Sequence, residues 1–203
     1  MAEIQVCVGD LPAGVRFGKS VAVDTETMGL NLHRDRLCLV QIGDGNGRVY
    51  LVQIKRGIPC PRLIKLLTNP KILKIFHFAR FDVAKIKNDL GIVVNPVYCT
   101  KIASKLCRTS SPSHSLKSLC HDLLGVELCK EQQTSDWGAE TLNAEQQKYA
   151  ANDVLYLHQL KEKLDALLKR EGRAELAQAC FDFLPTRAEL DLSDFVEPDI
   201  FNH

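Results

Sequence analysis

"VAVDTETMGL", residues 21–30, begins with the apolar alternation of a β-strand and ends by placing two acids one residue apart. Side chains alternate faces along a strand, so Asp24 and Glu26 point the same way and Thr25 points to the other side. Like charges set side by side are unfavourable unless a cation neutralises them. An isolated Asp-x-Glu at a strand end is more often a solvated turn than a metal site. The apolar lead-in "VAV" brings a site for a divalent metal level with that reading.

Two further stretches supply acids. In "KIFHFARFDVAKIKNDLG" a strand runs directly into a helix, and Asp82 sits in the first helical turn. The helix dipole stabilises a carboxylate there, so taken alone Asp82 reads as a helix-stabilising acid. His77, Phe78 and Phe81 crowd the same crossover, and an imidazole with two aromatics suits the phosphate and bases of a nucleotide. In "QKYAANDVLYL" Tyr149 and Asp153 lie four residues apart, one turn from each other on one helix face. The small residues Ala150 and Ala151 allow that turn to approach a neighbour closely. Four carboxylates brought together would hold two divalent ions across a phosphate. One ion would acidify a water for in-line attack and the other would stabilise the leaving 3′ oxygen, while Tyr149 orients the water or helps take its proton. Hard oxygen ligands without paired thiolates or histidines point to Mg²⁺ or Mn²⁺.

The 203 residues are most simply one domain, with 45% hydrophobic and 25% charged residues and a net charge of +1. Long nucleic acid is usually gripped by a strong basic excess, which this chain lacks. No apolar run is long enough to span a bilayer, and the N-terminus shows no export signal, so a cytoplasmic location without membrane contact is expected. The eight cysteines form no C-x-x-C pair and read as reduced core or near-surface residues.

Strands are expected at residues 4–8, 20–25, 37–43, 48–54 and 72–76, the third and fourth forming a hairpin around "GDGNG". Helices are expected at 61–67 and 79–90, the latter stopped by Gly91, then over "TKIASKLC" and "SLKSLCHDLLG". One long helix is expected from Asn143 to about Arg170, opened by an Asn143–Gln146 capping box and striped by Val154, Leu157, Leu160, Leu164 and Leu168. A last helix at 174–183 precedes an aperiodic tail, giving a domain over 1–185 and a tail over 186–203.

"DTET", "HFARFD" and "YAAND", in that order and spacing, resemble the three motifs of the DEDDy 3′–5′ exonucleases. The stretch from "SLKSLC" through "SDW" to "YAANDVLYL" is similar to the ribonuclease D-like family beyond the motifs themselves. In length, in "HFARFDVA" and in a tail like "RAELDL…DIF", the chain resembles the compact nanoRNase C type of that family. The resemblance implies an α/β, ribonuclease H-like fold: a mixed five-stranded sheet flanked by helices, with the acids at one edge. It implies Asp24, Glu26, Asp82 and Asp153 as metal ligands for two Mg²⁺ or Mn²⁺ ions, and Tyr149 as their catalytic companion. It further implies a 3′–5′ exoribonuclease that cleaves very short RNA, such as linear dinucleotides, to mononucleotides. A broader exonuclease trimming longer RNA, or single- and double-stranded DNA ends, is the alternative. Thr25, Met28, Gly29, Leu30, His77 and Phe81 are the implied substrate contacts, Leu30 as a wedge against the bases. A homo-oligomer, with the tail as one contact, is also implied.

Overall fold

The computed structural model describes residues 2–128, 135–197 and 199–201. Six strands form one sheet: β1 (Glu3–Val8), β2 (Ser20–Thr27), β3 (Leu37–Gly43), β4 (Arg48–Gln53), β5 (Leu73–Phe76) and β6 (Val97–Cys99), in the order β1-β4-β3-β2-β5-β6. The expected hairpin is present as antiparallel β3 and β4, and β2 runs antiparallel to β3. The remaining pairs, β1 with β4, β2 with β5 and β5 with β6, are parallel. The mixed α/β sheet therefore stands, with six strands in place of the expected five. The added strand, β6, is only three residues long and too short to show an alternation. Every residue of β3 is buried, the polar Gln41 included, as a run apolar at nearly every position requires of a central strand covered on both faces.

Seven helices accompany the sheet among the described residues: α1 (Pro61–Leu67), α2 (Ala79–Leu90), α3 (Thr100–Cys107), α4 (Leu116–Leu124), α5 (Ala144–Leu155), α6 (Leu157–Arg170) and α7 (Ala174–Leu192). Gly91 and Gly125 end α2 and α4 in the left-handed conformation, the stops their sequence positions predict. Asn143 and Gln146 form the expected reciprocal capping box.

Two helices differ from expectation. The single helix over 143–170 is divided at Tyr156 into α5 and α6. The predicted stripe is buried throughout, but its two halves serve different partners: α5 lies against β3 and β4, and α6 packs mainly on α3. The helix expected to stop at Phe183 instead runs through Pro185 to Leu192, so the expected boundary at 185/186 falls inside α7. Its last turns pack on α2 and are tied by charge. Asp191 accepts a paired 2.7 Å bond from Arg80 and a further bond from Arg187, which also reaches Asp199; Lys87 pairs with Glu189. Arg187 and Asp191 are both buried. Paired charges of this kind are hidden from a reading based on apolar period.

All seven cysteines among the described residues are free, six of them buried; Cys129 lies outside the described residues. No helix among the described residues is long and apolar enough to cross a membrane.

Candidate active site

Strand β2 carries Asp24 and Glu26 to its C-terminal end, and α5 brings Asp153 to meet them. One carboxylate oxygen from each of the three lies within 4.8 Å of the others. The approach depends on small residues. Ala150 and Ala151 are buried, and a Cβ on Gly43 would stand 3.3 Å from the Val154 carbonyl oxygen. A larger residue at any of these positions would push α5, and Asp153 with it, off the sheet.

Asp82 reaches the site differently. Thr25 faces away from Asp24 and Glu26, as the strand alternation demands, and its hydroxyl donates a 2.5 Å hydrogen bond to Asp82 Oδ1. Asp82 is thereby fixed at the first turn of α2, buried, beside the trio and outside its 4.8 Å group. It is still close enough for its charge to act on all three acids. Gln41, buried on β3, donates a 3.4 Å bond to Asp24 Oδ2.

The electrostatics are those of a site built for a cation. Burial lifts the Asp24 carboxyl well above its usual range, and Asp82, Asp153 and Glu26 raise it further. Burial, then Asp153 and Asp82, pushes Glu26 up to about 9. Asp153 is raised by burial and by Asp82, and Asp82 by burial against the lowering bond from Thr25. No lysine or arginine figures among the charges acting on these four acids. Clustered carboxylates without a basic partner favour either protonation or a bound cation, and an all-oxygen donor set fits a hard divalent ion.

Asp24, Glu26 and Asp153 line a cleft of about 340 Å³ together with Tyr149, and His77, Phe78, Lys101, Ser115 and Lys117 stand elsewhere around it. The Trp137 ring lies 6.0 Å from that of Tyr149 and packs against it. Burial, then Asp153, Glu26 and Asp24, raises the Tyr149 hydroxyl above its ordinary value. His77 Nδ1 shares a 2.9 Å hydrogen bond with Thr100 Oγ1, and burial plus Lys101 lowers its pKa to about 4. The imidazole is therefore neutral near pH 7.

Of the remaining expected contacts, Thr25 and His77 line this cleft, while Leu30 and Phe81 line a neighbouring cavity of about 400 Å³. Leu30 is 84% exposed, consistent with a side chain presented to a ligand more than with one packed on the core. Met28 and Gly29 line neither cavity. A Cβ on Gly29 would stand 2.4 Å from the Asp35 carboxylate, so this glycine serves the turn after β2. Phe78, one of the two aromatics at the crossover, also lines the cleft, and Ser115, Gln41, Lys101 and Lys117 join the site without standing out as contacts in the sequence. For Gln41 there was a signal, a polar residue inside the apolar run "LCLVQIG".

A family model described as a 3′–5′ exonuclease matches residues 10–169. Ribonuclease D of Nitrobacter hamburgensis is 29% identical over 177 residues, 83% of this chain and 46% of that protein. The chain spans less than half the length of the curated relatives it matches. Among solved structures, Brucella melitensis NrnC bound to pGG is 51% identical with a TM-score of 0.95, covering 100% of both chains. The same Brucella protein with bound Mg²⁺ is 50% identical with a TM-score of 0.93, covering 99% of both. Three motifs, a mixed sheet with acids at one strand end, and these likenesses agree: the chain belongs to the DEDD 3′–5′ exonucleases, as a ribonuclease D-like member.

Proposed function

We propose that the protein is a metal-dependent 3′–5′ exoribonuclease that hydrolyses very short RNA, linear dinucleotides among them, to 5′-mononucleotides. The observation that carries the chemistry is the meeting of Asp24, Glu26 and Asp153 within 4.8 Å in a cleft shared with Tyr149. The likeness over the whole chain to a protein bound to pGG supports the substrate length.

Asp24, Glu26 and Asp153, with Asp82 beside them, would hold two divalent ions, Mg²⁺ or Mn²⁺. Such ions would offset the carboxylate charge, acidify a water and stabilise the departing oxygen. The chain's own groups do the rest. Thr25 locks Asp82, Gln41 orients Asp24, and Tyr149 orients the attacking water or helps to take its proton. In the hydrolysis the water oxygen bonds to phosphorus and the bond from phosphorus to the 3′ oxygen breaks. The products are a 5′-mononucleotide and a fragment with a free 3′ hydroxyl. The near-neutral net charge of +1 suits a substrate with one or two phosphates, which needs little basic surface. A homo-oligomer and a cytoplasmic location complete the reading.

The test is a time course with 5′-labelled RNAs two, three, five and seven nucleotides long at equal concentration with Mn²⁺ or Mg²⁺. Preferential loss of the dimer is expected. Equal shortening of every length would instead identify a general 3′ trimmer of longer RNA or DNA ends.

A further inference from the structure

Phe78 stands out on three counts. It is one of only two non-glycine residues with positive φ among the described residues, at 67°, and the other, Asp194 at 64°, lines the same cavity. The residue is 48% exposed, although it directly precedes a buried helical turn. It lines both cavities, the acid cleft on one side and the neighbouring 400 Å³ cavity on the other. Strained backbone persists where the surrounding structure enforces it, and it concentrates at functional positions. Here it aims an aromatic ring into the partition between two concavities.

The ring's two sides are unequal. Lys101 Nζ lies 4.1 Å from its centroid, and Lys101 lines the acid cleft but not the second cavity. The ammonium therefore occupies the cleft side, where a phosphate would pass. The second cavity meets the ring's other side, where apolar Leu30, Leu32, Phe81 and Val196 alternate with polar Asn31 and His33, the Arg80–Asp191 ion pair and Asp194. A chamber with an aromatic wall and a mixed lining, next to a phosphate-handling cleft, suits a nucleobase, because every base has a π-face that stacks on such a ring and a polar edge for the polar side chains.

We infer that Phe78 is a specificity-determining residue whose ring stacks one nucleobase of the substrate in the cavity bounded by Leu30 and Phe81. The inference rests on the reading of the acid cleft as the site of phosphodiester cleavage. The substrate would straddle Phe78, its scissile phosphate at the acids and one base across the ring. Lys101 biases the same ring electrostatically through a cation–π contact.

The experiment measures binding and turnover separately. Equilibrium binding of a fluorescent dinucleotide is followed in Ca²⁺, and steady-state release of mononucleotide in Mg²⁺. Three substrates are compared: the complete dinucleotide, and two versions each lacking one base. Phe78→Ala is expected to weaken binding and raise KM about 5- to 100-fold on the complete dinucleotide, with kcat changed no more than about threefold. On the version lacking the stacked base the same substitution should have no effect. Phe78→Trp should retain wild-type binding. Phe78→Gly, which suits the positive φ, removes the ring while relaxing the backbone, so matching losses in the Gly and Ala variants assign the effect to the ring. Equal losses on all three substrates, or a loss confined to kcat, would overturn the inference. If wild-type protein released no mononucleotide yet Phe78→Ala still weakened base-dependent binding, the hydrolase reading would fail and the stacking role would stand.

Discussion

Glu26→Gln should change how stability depends on pH. The Glu26 carboxyl is raised from an ordinary 4.5 to about 9 by burial, then by Asp153 and Asp82. The folded protein thus binds this proton more tightly than the unfolded chain does. The stability it contributes is complete below pH 4.5 and is lost as the pH rises toward 9. One such group gives a slope of about 1.36 kcal/mol per pH unit, or roughly 4 kcal/mol between pH 5 and pH 8. The Glu26 side chain is only partly buried, and solvent screening brings this to about 2 kcal/mol. For a chain of this length, 2 kcal/mol corresponds to roughly 4–8 °C in Tm. In EDTA the wild-type Tm should therefore fall more steeply than that of Glu26→Gln between pH 5 and pH 8, by about this amount. Saturating Mg²⁺ should reverse the trend in the wild type, since a ligand at a hundredfold its Kd adds about 2.7 kcal/mol, and the gain should grow with pH. The glutamine variant should retain less than half of that gain. Differential scanning fluorimetry at four pH values, with and without Mg²⁺, measures both. Parallel curves for the two proteins in EDTA, or an undiminished Mg²⁺ gain in the variant, would refute the assignment of Glu26 to the cation site.

The other expectations follow from the same geometry. Asp24→Ala and Asp153→Asn should each lower mononucleotide release by roughly 10³-fold or more while circular dichroism shows the fold retained; unchanged turnover in either removes the acids from the mechanism. Asp191→Ala should remove the buried carboxylate shared by Arg187 and Arg80, leaving Arg187 only the less buried Asp199, and destabilise by about 3 kcal/mol, the lower end of the range for breaking a buried pair. Urea unfolding checks it, and a change below about 1 kcal/mol, the scale of an exposed pair, would show that the end of α7 contributes little.

How much of this was legible in the sequence depends on the range of the interaction that decides each element. Strands β2 to β4 and helices α1 to α4 are settled by local signals, an apolar run between turns or a periodic face, ended by glycine in α2 and α4, and they appear within two residues of expectation. The break at Tyr156 and the run of α7 through Pro185 are settled by partners far along the chain. The first depends on a sheet for α5 and on helices for α6. The second depends on Arg80, which is 111 residues from Asp191. The acids of the site were legible for a related reason. Side-chain alternation in "VDTET" places Asp24 opposite Thr25 without any tertiary knowledge, and the Tyr149–Asp153 spacing fixes a shared helix face. The same alternation carries a consequence visible only in three dimensions: it sends Thr25 to the face from which Asp82 arrives, and the hydroxyl locks that carboxylate. Sequence reasoning placed Thr25 among the substrate contacts; although it borders the cleft, its hydrogen bond goes to Asp82. One strand end thus presents two acids to the cleft and uses the residue between them to hold a third beside it.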